Sequence, residues 1–71
     1  YRQDAIRCAH ALKAGSLKAS EVARLAQVER ARAIMADNHY GWFQRVERGV
    51  YAITPEGRAG LTHWAGSWEG D

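Results

Sequence analysis

Seventy-one residues with ten Lys/Arg against eight Asp/Glu carry a formal net charge of +2, which permits contact with nucleic acid without requiring it. A chain this short is one domain burying about 60% of its unfolded surface, with no room for a separate catalytic domain. No apolar run approaches the roughly 20 residues of a transmembrane helix, so no membrane partner is expected. The lone Cys8 cannot close an internal disulfide, which points to a reducing, cytoplasmic setting. The chain begins at Tyr1 without a charged-then-apolar leader and reads as a segment of a longer protein.

Arg2 to Lys13 sets Ala5, Ile6, Ala9 and Leu12 on one stripe at helical spacing and predicts the first helix, with Cys8 beside the apolar face and Gly15 as the stop. Leu17 falls in a short extended link, the place of a minimal first strand. The second helix is expected over Ala19 to Ala26, starting near Lys18 or Ala19, with Glu21 at the positive end of its dipole. Val22, Leu25 and Ala26 should form its buried side, and Ala23 is small enough for a neighbouring helix to come close.

Gln27-Val28 breaks to a third helix over Glu29 to Asn38. Helix-turn-helix units usually carry Gly near Gln27 and Ser or Thr near Glu29, so this turn and cap are atypical although the spacing holds. Ala31, Ile34 and Met35 group with Val28, while Glu29, Arg30, Ala33 and Asp37 lie opposite and Arg32 sits on a flank. Asn38 is expected to end this helix in a left-handed conformation, and His39-Tyr40-Gly41 carries the chain onward.

Trp42 to Gly57, W-F-Q-R-V-E-R-G-V-Y-A-I-T-P-E-G, reads as a basic β-hairpin running into a helix start. With a reversal at Arg48-Gly49, Val46, Tyr51 and Ile53 alternate with Arg45, Glu47 and Val50, the period-2 pattern of a sheet with one buried face. Gly49 supplies the positive φ of the turn. Thr54 offers an N-cap hydroxyl and Pro55 suits the first helical position. The last helix, to about Trp64, contains Ala59 and Leu61 but also Gly57 and Gly60, each costing up to about 1 kcal/mol in a helix interior. Residues 65–71 are expected to fray, or to place Trp68 on one face with Trp64 if the helix continues. Removing Glu69 and Asp71 from the count leaves residues 1–68 with ten cations against six carboxylates, a balance of +4.

These elements predict a mainly α fold with a small β-hairpin (α+β), a winged helix-turn-helix over residues 1–64 followed by a tail. Asp4 to Leu61 as a whole resembles a winged helix-turn-helix domain. The run Ala31 to Pro55, A-R-A-I-M-A-D-N-H-Y-G-W-F-Q-R-V-E-R-G-V-Y-A-I-T-P, is similar to the C-terminal part of a bacterial family labelled as putative PD-(D/E)XK phosphodiesterases. That resemblance implies a nuclease-like fold upstream and carries over no functional residue. Pro55-Glu56 is followed by Gly57-Arg58 rather than by the nuclease motif.

Arg30 and Arg32 on the third helix and Arg45 and Arg48 on the hairpin are the candidate DNA contacts, because a wing touches the groove wall while a helix enters the major groove. Arg guanidinium groups match phosphate oxygens bidentately. Lys18 and Arg24 would add cations where the second helix approaches the backbone. Against this, Arg30 and Arg32 are balanced by Glu29 and Asp37, so all these cations also fit a solvated surface.

Tyr40, Trp42 and Phe43 fit core packing better than base stacking. Cys8, His10, His39 and His63 lack zinc-site spacing, so no metal or other cofactor is expected. Ser16, Ser20 and Ser67 form no triad. The segment is therefore expected to be no enzyme itself, any phosphodiesterase chemistry belonging to a longer parent. Two readings follow: a DNA-binding module that contacts duplex DNA weakly, mainly through phosphates, beside an upstream domain of the same chain; or a protein-interaction or regulatory domain that docks on its parent or dimerises. The sequence sets no oligomeric state.

Overall fold

A computed structural model describes residues 2–63 of the chain. In chain order these form α1 (Arg2–Ala11), β1 (Leu17–Lys18), α2 (Ala19–Ala26), α3 (Ala31–Asp37), β2 (Phe43–Glu47), β3 (Val50–Ile53) and α4 (Pro55–His63). The result is the expected α+β class and element order, four helices with a three-stranded antiparallel sheet ordered β1-β3-β2. Among the described residues no helix is long and apolar enough to cross a membrane. Trp64 and the expected fraying of residues 65–71 lie outside the described residues.

The stripe on α1 is the floor of the core: Ala5, Ile6, Cys8, Ala9 and Leu12 are each at most 1% exposed. Its small residues let α2, α3 and α4 all pack against it. The α-helix stops at Ala11, two residues short of expectation. The Leu12 N–H is shared between the carbonyls of Cys8 and Ala9, and Gly15 N–H closes on Leu12 at 3.1 Å.

On α2, Ala19 and Val22 are buried and Ala23 and Ala26 partly so, but Leu25 is 57% exposed, against expectation. At about 100° per residue, Ala19, Val22, Ala23 and Ala26 cluster within roughly one quadrant, and Leu25 falls well outside it. Val28 fills the core beyond the helix end instead. Gln27 takes the position where glycine is usual, in the left-handed region at φ 57°, ψ 42°, and the N–H groups of Gln27 and Val28 both donate to the Ala23 carbonyl.

The third helix starts later than predicted. Val28 to Arg30 form a turn, and Arg30 is the N-cap without a side-chain cap bond. Ala31, Ile34 and Met35 are buried as expected. Asn38 ends α3 at φ 52° and also clamps the next strand: its Nδ2 donates to the Phe43 carbonyl and its Oδ1 accepts the Phe43 N–H, both at 2.9 Å. One side chain thus fixes where the hairpin leaves the helices.

In the hairpin Phe43 pairs with Ile53, Gln44 with Ala52, Arg45 with Tyr51 and Glu47 with Val50, so a bulge interrupts the ladder between Arg45 and Glu47. Val46, the extra residue, is 54% exposed rather than on the buried face. A bulge breaks the strict alternation on which that expectation rested. Gly49 turns the chain at φ 75° as predicted.

Thr54 caps α4 as expected, its Oγ1 accepting the Gly57 N–H at 3.0 Å, and the same hydroxyl donates to the Gly41 carbonyl at 2.8 Å. The helix seats on Trp42, which is 6% exposed. A Cβ at Gly60 would lie 2.7 Å from the Trp42 indole, and one at Gly57 would lie 2.6 Å from the Trp42 carbonyl oxygen and from Ile53. Both glycines are therefore packing requirements as well as helix costs.

Candidate nucleic-acid interface

Antiparallel pairing of β1 with β3 sets Leu17 against Tyr51 and Lys18 against Val50. It brings the start of α2 to the hairpin turn, where the Ala19 N–H donates to the Gly49 carbonyl at 2.8 Å. On the other side α2 packs against α3. The three elements enclose an open depression of about 400 Å³ lined by Lys18, Ala19, Ser20, Ala23, Glu29, Arg32, Arg48 and Gly49.

Three of the predicted cations thus share one hollow although they lie on β1, α3 and the hairpin turn. Lys18, Arg32 and Arg48 are all exposed there, with Glu29 as the single carboxylate among the described residues of the lining. None of these three cations is held in an ion pair with another described residue. Such an arrangement offers an electropositive concavity with free donors, the chemistry that suits phosphate oxygens.

Arg30 and Arg45 do not line the depression. Arg30 is the exposed N-cap of α3. Arg45 pairs with Tyr51 while Lys18 pairs with Val50, and successive residues point to opposite faces, so Arg45 and Lys18 lie on opposite sides of the sheet. Arg24, in the last turn of α2, also lies outside. Ser20 and Glu29 belong to the lining but were not singled out as contacts from sequence. The signal was present in the predicted minimal strand at Leu17, because strand pairing there forces the α2 start against the hairpin turn.

The aromatic cluster is largely core. Trp42 and Phe43 are buried, and Tyr40, 38% exposed, stacks on Trp42 with ring centroids 4.6 Å apart. Cys8 is a free, fully buried thiol whose pKa is pushed up to about 11, first by burial and then by the charge of Asp4. Among the described residues no group of three His, Cys, Asp or Glu side chains converges in a way that could hold a metal ion, so a divalent cation for phosphodiester chemistry is not fitted by them. Glu56 stands in the first turn of α4 and is exposed.

A family model described as "Putative PD-(D/E)XK phosphodiesterase (DUF2161)" matches residues 1–60. The chain belongs to this family. No curated protein and no solved structure matches it. The match corrects the expectation that this segment is no enzyme: it covers α1 through most of α4, and membership of a phosphodiesterase family points to an enzyme.

Proposed function

We propose that this chain is a winged helix-turn-helix element of a phosphodiesterase-family protein, binding duplex DNA weakly and mainly through backbone phosphates. In this reading α2, the Gln27 turn and α3 are the helix-turn-helix, and the β2-β3 hairpin is the wing. DNA contact brings a phosphodiester substrate to the family's chemistry. The observation that carries it is the convergence of Lys18, Arg32 and Arg48 from three elements on one open, unpaired hollow. Arg30 and Arg45 do not line the hollow, and Arg45 lies on the opposite face of the sheet from Lys18, so neither is counted among the phosphate contacts. A reducing, cytoplasmic setting, where DNA is found and Cys8 stays a thiol, fits the same reading.

Three phosphate contacts release about three counterions and predict a salt slope near −2.7, so affinity should fall about 40-fold between 50 and 200 mM salt. Fluorescence anisotropy of a labelled duplex against the full chain measures this directly. Each of Lys18→Ala, Arg32→Ala and Arg48→Ala should lower the slope by about 1 without regard to DNA sequence. Binding that is absent at low salt, or unaltered in the triple variant, rejects the proposal. A protein-docking role has less support: among the described residues the exposed large apolar side chains, Leu25, Tyr40 and Val46, come from three different parts of the chain.

A further inference from the structure

We infer that Glu29 is the residue through which this surface discriminates among base sequences, by accepting a hydrogen bond from the amino group of cytosine in the major groove. The inference rests on the DNA-contact reading above. Glu29 lines the same hollow as Lys18, Arg32 and Arg48, and it lies exposed two residues ahead of α3. Its carboxylate has no structural task. The N-cap position of α3 belongs to Arg30, and no hydrogen bond or ion pair ties the Glu29 side chain to another described residue.

A free carboxylate amid three cations is anomalous on a surface that only grips phosphates. Charges within about 8 Å of each other are poorly screened at physiological ionic strength, so Glu29 would repel the backbone that its neighbours attract. Its place in the chain resolves the conflict. In a helix-turn-helix the N-terminal end of the second helix faces the base edges, and Glu29 stands in the turn immediately before the Arg30 N-cap, whereas cations on the flanks reach phosphates. At the base edges a carboxylate can only accept. Guanine presents two acceptors and thymine one, and adenine sets its amino group beside the N7 acceptor. Cytosine alone presents an amino donor with no acceptor of its own next to it, so it is the base a lone carboxylate selects.

The test is selection of duplexes with a randomised central block by the full chain at low salt, with wild type, Glu29→Ala and Glu29→Gln. Wild type should enrich cytosine about fivefold or more at one fixed position. The Ala variant should lose that preference while binding unselected DNA more tightly, since a repulsive charge is gone. The Gln variant should move the preference toward adenine, whose amino group and N7 match an amide. Glu29 is exposed and outside any helix, so the variants should melt like wild type. If salt-dependent binding is intact but no position favours cytosine, or if either variant keeps the wild-type pattern, the role of Glu29 is overturned and the DNA-contact reading stands. If wild type shows no salt-dependent binding, the DNA-contact reading falls and takes this inference with it.

Discussion

Replacing Gly60 by Ala sets two effects of similar size against each other. In an exposed helix interior the change would stabilise α4 by about 1 kcal/mol, because Ala is the best helix former and Gly one of the worst. Gly60 is buried instead, and a Cβ there would stand 2.7 Å from Cε2 and Cζ2 of Trp42 and 2.9 Å from its Nε1. Carbon atoms out of bonding reach settle at about 3.5–4.0 Å, so ring and helix must separate by about 1 Å. The ring has little freedom to move: it is 6% exposed and stacked on Tyr40, and the Trp42 carbonyl accepts the Thr54 N–H at 2.9 Å. Overpacking of this kind costs about 1–3 kcal/mol. The packing penalty should win, leaving Gly60→Ala less stable by about 1 kcal/mol, with Tm lower by roughly 4–8 °C for a domain of this size. Thermal and urea melts read the effect. Adding Trp42→Phe, which shortens the ring, should make the pair of changes less damaging than their sum. A Gly60→Ala chain as stable as wild type, or more so, would refute the tight seat of α4 on Trp42.

Gln27→Gly should raise stability by about 1 kcal/mol, because Gln27 holds φ 57° and glycine occupies that region without the Cβ clash; a melt at or below the wild-type temperature counts against strain at this turn. Cys8 gives a pH signature, its thiol being raised from 9.0 to about 11 by burial and then by Asp4. The folded chain holds that proton more tightly than the unfolded one. The contribution is therefore complete below pH 9 and is lost as pH rises toward 11, at up to about 1.4 kcal/mol per unit. Denaturant melts across that window should show a shallower decline in Cys8→Ala than in wild type, although the variant is less stable throughout; parallel declines would remove Cys8 as the cause.

The helices were legible because each short segment carries its own apolar stripe, and the special backbone positions were legible because Asn38, Gly49 and Thr54 have chemistry suited to them. Leu25 was misplaced for a different reason. In an eight-residue helix the centre of the buried face is set by what packs against it, and here the small residues Ala19, Ala23 and Ala26 face the neighbours. Val46 was misplaced because one bulge inverts an alternation pattern, and a bulge is a property of two strands together. The favourable side of Gly57 and Gly60 depends on Trp42, fifteen or more residues away in sequence. Lys18, Arg32 and Arg48 could each be named from sequence, and the minimal strand at Leu17 was legible too, but their convergence depends on the partner and register of that strand, Leu17 against Tyr51 and Lys18 against Val50, which two residues do not specify.

Charge counted along an element differs from charge counted around the hollow. From sequence, Arg30 and Arg32 against Glu29 and Asp37 make the third helix neutral, which argued against nucleic acid. A phosphate responds to charges within about a Debye length, roughly 8 Å, whichever element they come from. Asp37 lies five residues beyond Arg32, about 7.5 Å along the axis, near the limit of that range. Lys18 and Arg48, distant in sequence, share the hollow with Arg32, so among the described residues its lining holds three cations against the single carboxylate of Glu29. Among its described residues the lining of the hollow is positive while the helix contributing to it is neutral. The same count makes Glu29 the one charge whose removal should strengthen binding to unselected DNA, opposite in sign to every other substitution in the hollow.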